Sequence, residues 1–168
     1  PITVKPETIE ISGKSVVTVA TGRYLGTADV EDTTQQSIYA VKDVLTNTGL
    51  GDVRARNTMV RQTFTVTGNT AAISSNQVNW GTQDGWWVDL PHTGERVNTD
   101  MALQFGTLSL ATAIPSGGAC SSGGSSWRYY LNVTTGGVIT TNPTGELWSS
   151  NSLIVGLSWV KHTNGNER

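Results

Sequence analysis

The sequence predicts an all-β fold, and three observations carry that prediction. Short β-prone runs recur along the chain, no segment of useful length shows a helical period, and strong helix formers are sparse beside Thr, Val, Trp and Tyr. Val16 to Ala20 is the first run, closed by Thr21-Gly22, and Ser37 to Val41 is the second. Gln62 to Thr67 alternates polar and apolar residues, and Gly68-Asn69 turns it into Ala71 to Ser74, which makes a hairpin. Gly85 to Leu90 is a strand ended by Pro91, and Thr107 to Ile114 is one ended by Pro115. Trp127 to Val133 and Leu153 to Val160 complete the set. Asp29 to Gln36 is the best helix candidate, but its acidic residues and Thr read as a loop. Ser116 to Ser126, rich in Gly and Ser around Cys120, is a second loop.

An internal repeat refines the fold class. An aromatic strand, a polar residue and then Thr-Gly occur three times: Tyr39 to Asp43 before Thr48-Gly49, Trp87 to Asp89 before Thr93-Gly94, and Tyr130 to Asn132 before Thr135-Gly136. The glycines are about 45 and about 42 positions apart, close to the roughly 40–45-residue period of four-stranded propeller blades. One blade buries neither face alone, so blades must stack, with the Asp or Asn and Thr-Gly closing a turn after an inner strand. The expectation is an incomplete β-propeller of antiparallel four-stranded sheets, with residues 1–168 forming about three blades. A β-sandwich would accommodate the same repeat.

Composition narrows the function classes. Charged residues make up 14% of the 168, and the formal net charge is −2. The basic residues are scattered, Arg54 and Arg56 being the densest pair, so nucleic acid is not an expected partner. The longest apolar runs, such as Leu153 to Leu157, are far short of the ~20 residues of a membrane span. Pro1 to Pro6 reads like mid-domain sequence, so an export signal is expected upstream or already removed. The single cysteine, Cys120, can form no internal disulfide and no zinc site. It is a free thiol or the partner of a cysteine elsewhere.

No side-chain constellation points to catalysis. Asp29, Glu31 and Asp32 lie close in sequence, but they have too few oxygens and no turn glycine for calcium, and read as solvated loop charges. His92 and His162 sit beside turn residues in no paired spacing and read as exposed turn positions. Glu95 and Arg96 must point to opposite faces, and Arg96 is assigned a structural role, stacked on a Trp or paired with an acidic residue. Trp86 and Trp87 likewise face opposite ways, one in the core and the other exposed or under a loop. Trp127, Trp148 and Trp159 read as packing residues by default. No Gly-x-Ser-x-Gly elbow or phosphate loop is present, and the Asn132-Val133-Thr134 triplet carries little meaning outside a glycosylating host. The expectation is no catalytic residue and no metal ligand, with the ligand-binding residues undefined.

Several longer stretches carry a resemblance. Pro1 to Glu7, Thr21 to Gly26, Gln35 to Asp43, Gly85 to Pro91 with Gly94 to Val97, and Cys120 to Trp127 resemble, in order and approximate spacing, the C-terminal propeller of the PilY/PilC family of type IV pilus tip-associated proteins. The resemblance implies an exported, non-enzymatic, cell-surface or fimbrial module for pilus biogenesis and cell adhesion at the pilus tip. It would reach the extracellular face through the periplasm. Its implied partners are minor pilins or other pilus tip proteins, and a host or abiotic surface. No cofactor is expected in this segment, and the family's calcium loop is expected upstream. The alternative is a carbohydrate-binding domain or a fragment of a quinoprotein-like propeller enzyme.

Overall fold

The structure, a computed structural model, describes residues 1–46, 48–116 and 123–158. Its strands are β1 (Glu7–Ile11), β2 (Lys14–Ala20), β3 (Ser37–Lys42), β4 (Met59–Gln62), β5 (Phe64–Thr67), β6 (Thr70–Ile73), β7 (Gly85–Asp89), β8 (Ala102–Gln104), β9 (Thr107–Ser116), β10 (Gly123–Asn132) and β11 (Gly145–Ser149). They form two sheets, ordered β1-β2-β3-β7-β4 and β5-β6-β11-β10-β9-β8. The fold is all-β, and neither sheet closes on itself, as an incomplete propeller-like arrangement requires.

Local sequence explains these elements. In β2, Val16, Thr18 and Ala20 are buried while Val17 and Val19 are half-buried, so the period-two pattern gives one face to the core. Ser12 and Gly13 both have positive φ, 53° and 70°, the turn geometry that joins β1 to β2 without splaying them. The expected hairpin is β5–β6, with Phe64 opposite Ile73 and Thr67 opposite Thr70. Between the sheets, Val16, Ile38, Ala40, Trp86 and Val88 of the first meet Ile73, Leu108, Leu110, Tyr129 and Leu131 of the second in one apolar cluster. Trp86 is fully buried there and donates its indole N–H to the Val133 carbonyl at 2.8 Å.

The chain crosses between sheets at Thr63, one residue after β4 ends and one before β5 begins. Gln62 pins the crossing. Its Nε2 donates to the carbonyls of Asn76 and Thr135, both at 2.7 Å, and its Oε1 accepts from Ser74 Oγ at 2.6 Å and Asn76 N at 3.0 Å. An amide side chain has two donors and two acceptor sites, so this buried Gln is fully satisfied.

Several expectations need correction in detail. The sheets have five and six strands rather than four, and β4 runs parallel to β7. The first two repeat units place their strands, β3 and β7, as antiparallel neighbours in one sheet, so that interval does not step from one blade to the next. Asp43 and Asn132 do receive backbone N–H groups two residues on, from Leu45 and Thr134, but Asp89 plays no such turn role. Pro115 lies inside β9 rather than ending it. β8 pairs only with residues 107–109, so at Pro115 no N–H is required on that side. Residues 153–158 form no strand, and 159–160 lie outside the described residues. Of the expected Gly/Ser loop, Ser116 belongs to β9 and 123–126 to β10, and 117–122 lie outside the described residues.

Candidate interaction surface

The most developed outward-facing side-chain group lies on the first sheet, on the face opposite the core. Register places Tyr39 of β3, Trp87 of β7 and Arg61 of β4 side by side across three strands. Trp86 and Trp87 point opposite ways, as expected: Trp86 fills the core, and Trp87 lies on the outer face under two arginines. The guanidinium carbon of Arg54 sits 4.2 Å from the Trp87 ring centroid and that of Arg61 4.9 Å, leaving the residue 8% exposed. Both arginines converge on Asp89, two residues along the same strand face. Arg54 Nη1 and Nη2 donate to its two carboxylate oxygens at 3.0 and 3.1 Å, and Arg61 Nη2 donates at 3.3 Å. Ser37 Oγ donates to the same carboxylate at 2.6 Å, and Arg54 also reaches the Tyr39 hydroxyl at 3.2 Å. Burial alone would lower the Arg54 pKa, but hydrogen bonding and charge from Asp89 and Tyr39 outweigh it and raise the value.

A second carboxylate held by two cations sits at the other end of β4. Asp84 accepts from Thr58 Oγ1 at 2.5 Å and Arg56 Nε at 3.1 Å, with Lys42 Nζ at 3.6 Å. The Thr58 hydroxyl and the two cations hold its carboxyl below the ordinary value against the opposing effect of burial. Four cations therefore surround two carboxylates along the β4–β7 edge, in a chain whose net charge is −2. Sequence reasoning noted Arg54 and Arg56 only as a basic pair. It had no means of finding Arg61 and Asp89 together, because β4 and β7 are joined by register and not by a turn.

The residues weighed from sequence fall elsewhere. Asp29 is buried, and its carboxylate accepts from Arg23 Nε at 2.6 Å and from the amides of Leu25 and Gly26 at 2.8 and 3.1 Å. The Leu25 amide is the main cause that lowers its pKa, opposed by burial and helped by Arg23. Asp32 caps the Thr34 amide, while Glu31 is exposed. Arg96 does have a structural role, but among the described residues it neither stacks on a Trp nor pairs with a carboxylate. Its buried guanidinium donates to the carbonyls of Gly94, Arg23, Asp29 and Asp32, stapling loop 23–32 to the Thr93-Gly94 corner.

His92 departs from the exposed-turn expectation. Its side chain is 26% exposed, its Nδ1 lies 2.8 Å from Glu95 Oε2, and its ring packs 4.4 Å from Trp127. Glu95, on the opposite face from Arg96, is buried and also accepts from Thr112 Oγ1 at 2.5 Å and the Tyr129 hydroxyl at 2.8 Å. Burial and the Glu95 charge push the Tyr129 phenol far upward. Trp148 of β11 is 56% exposed, with the Arg128 guanidinium carbon 4.2 Å from its ring centroid, and Phe105 in the β8–β9 turn is 93% exposed. Trp127 is buried, as a packing residue should be. Cys120, Trp159 and His162 lie outside the described residues.

The chain is 29% identical over 169 residues to the type IV pilus biogenesis factor PilY1 of Pseudomonas aeruginosa strain UCBPP-PA14, a match covering 82% of this chain. It is 31% identical over 146 residues, 73% of this chain, to PilY1 of strain PAK. The chain is a partial PilY1-like region. These matches span 15% and 13% of the PilY1 relatives' own length. No family model matches the chain, and no solved structure does. In the PilY1-like region no described helix is long and apolar enough to cross a membrane.

Proposed function

We propose that this chain is a non-enzymatic contact module of a type IV pilus biogenesis protein, working at the cell surface or pilus tip through protein–protein contacts. The observation that carries the reading is its similarity to PilY1 over up to 82% of its length. The side chains support it. The buried Glu95 carboxylate is engaged by Thr112, Tyr129 and the half-buried His92, which itself packs on Trp127, an arrangement that suits packing. The Asp29 and Asp32 carboxylates are engaged within their own loop, so the reading needs no metal in this segment. What faces outward is a pair of arginines laid over a buried Trp, and Arg and Trp are among the residues enriched where proteins meet. Adhesion to a surface and contact with minor pilins belong to the same proposal.

The test is a pull-down using the full-length protein that carries this chain, with purified minor pilins as prey. Recovery of a pilin is the expected result, and recovery of none would overturn the contact reading. Dye reduction after incubation with a quinone cofactor would replace it with an enzymatic one. A carbohydrate-binding alternative rests on Trp148, which is 56% exposed. Glycan-array signal lost in Trp148→Ala would favour it.

A further inference from the structure

We infer that the Arg54–Arg61 face of the first sheet is an anion site that takes carboxylate side chains from an acidic segment of a protein partner. The inference rests on the contact reading above and gives that contact a chemistry. Two arginines share Asp89, so one positive charge is left over at the outer surface. Arg54 spends two donors on the carboxylate in a bidentate fork, whereas Arg61 makes one longer bond of 3.3 Å and its side chain is 60% exposed. Among the described residues that is the only hydrogen bond its guanidinium makes, so its other N–H groups face solvent. Trp87 beneath contacts both guanidinium groups, at 4.2 and 4.9 Å from its ring centroid, which reduces the ordering cost of a second planar ligand.

Ligand class follows from geometry and charge. Guanidinium forks fixed on an aromatic ring match the planar, two-oxygen carboxylate. A polyanion such as nucleic acid needs a continuous basic track, and an anionic membrane needs a cluster of about 4–8 cations. Here the cations are divided between Asp89 and Asp84, and the whole chain is negative. The surface fits a few carboxylates at defined positions.

The probe is a hexaglutamate peptide, titrated into the full chain and followed by arginine side-chain N–H resonances and tryptophan fluorescence. Saturable shifts at Arg61 and Trp87 are expected, weakening several-fold as salt rises from about 0.05 to about 0.5 M. Arg61→Gln should weaken binding by about fivefold, Arg61→Lys should do so by less, and Arg128→Ala, at the unrelated Trp148 stack, should leave it unchanged. No saturable shift, equal weakening in Arg128→Ala, or tighter binding of heparin or inorganic phosphate than of hexaglutamate would overturn the site. Two failures stay distinct. If the pull-down succeeds and Arg61→Gln does not diminish it, the anion site falls and the contact reading stands. If the native protein recovers no pilin, the contact reading falls, and the titration still decides whether carboxylates bind.

Discussion

Glu95 and Arg96 are neighbours whose side chains serve opposite sides of the second Thr-Gly corner. Removing Glu95 would strand the Tyr129 and Thr112 hydroxyls and the inner nitrogen of His92 in a buried site. Glu95→Ala should therefore cost about 2–4 kcal/mol, read from the denaturant midpoint. Arg96→Ala should cost a similar amount, because four carbonyls lose their donor at once. Acid should also weaken the fold. Asp29, Asp32 and Asp84 all have pKa values lowered below the ordinary 3.8. A lowered folded-state value means the stabilisation is complete above about 3.8 and is lost as pH falls through the folded value. The gap in thermal midpoint between the native chain and Asp84→Asn should be wide at pH 6 and close in strong acid. A gap that stays constant would remove Asp84 from the account. Some of this was legible beforehand: adjacency on a strand forces Glu95 and Arg96, like Trp86 and Trp87, to opposite faces. The carbonyl cradle of Arg96 was not, because backbone oxygens leave no trace in a sequence pattern.

At the level of elements, the three Thr-Gly corners look alike in sequence and differ in structure. Gly49 has no positive φ and open space around it, Gly94 has φ 73° with only ordinary contacts around it, and Gly136 has φ 72° with the Trp86 ring occupying the space that a Cβ would need. Substitution by Ala should give a graded series. Gly49→Ala should be near neutral, Gly94→Ala should cost about 1–2 kcal/mol for its left-handed backbone, and Gly136→Ala should cost more than about 3 kcal/mol because Trp86 must also move. Equal effects at all three would show that the corners are equivalent after all. Hairpins such as β5–β6 were readable because a turn dipeptide sits between two alternating runs. β4 and β11 escaped notice because each is short and takes its partner from a distant part of the chain, β7 for one and β6 and β10 for the other.

For the molecule as a whole, the sheet orders predict where protection lies. Backbone amides of β3, β7 and β10 have strands on both sides, whereas β1, β4, β5 and β8 are edges. Hydrogen exchange should be slowest in the first group and fastest in the second, and fast exchange in β7 would contradict the sheet order. The all-β class was legible from composition and period. The division into a five-stranded and a six-stranded sheet was not, because the chain leaves the first sheet after β4, makes the β5–β6 hairpin in the second, and returns for β7. That return has a temporal cost. Met59–Gln62 leaves the ribosome before Gly85–Asp89, the strand it pairs with, and at ~5–20 residues per second it waits on the order of seconds with its polar backbone open. During that interval a nascent chain carries an unclaimed strand, and a holdase that shields extended segments would find its substrate there.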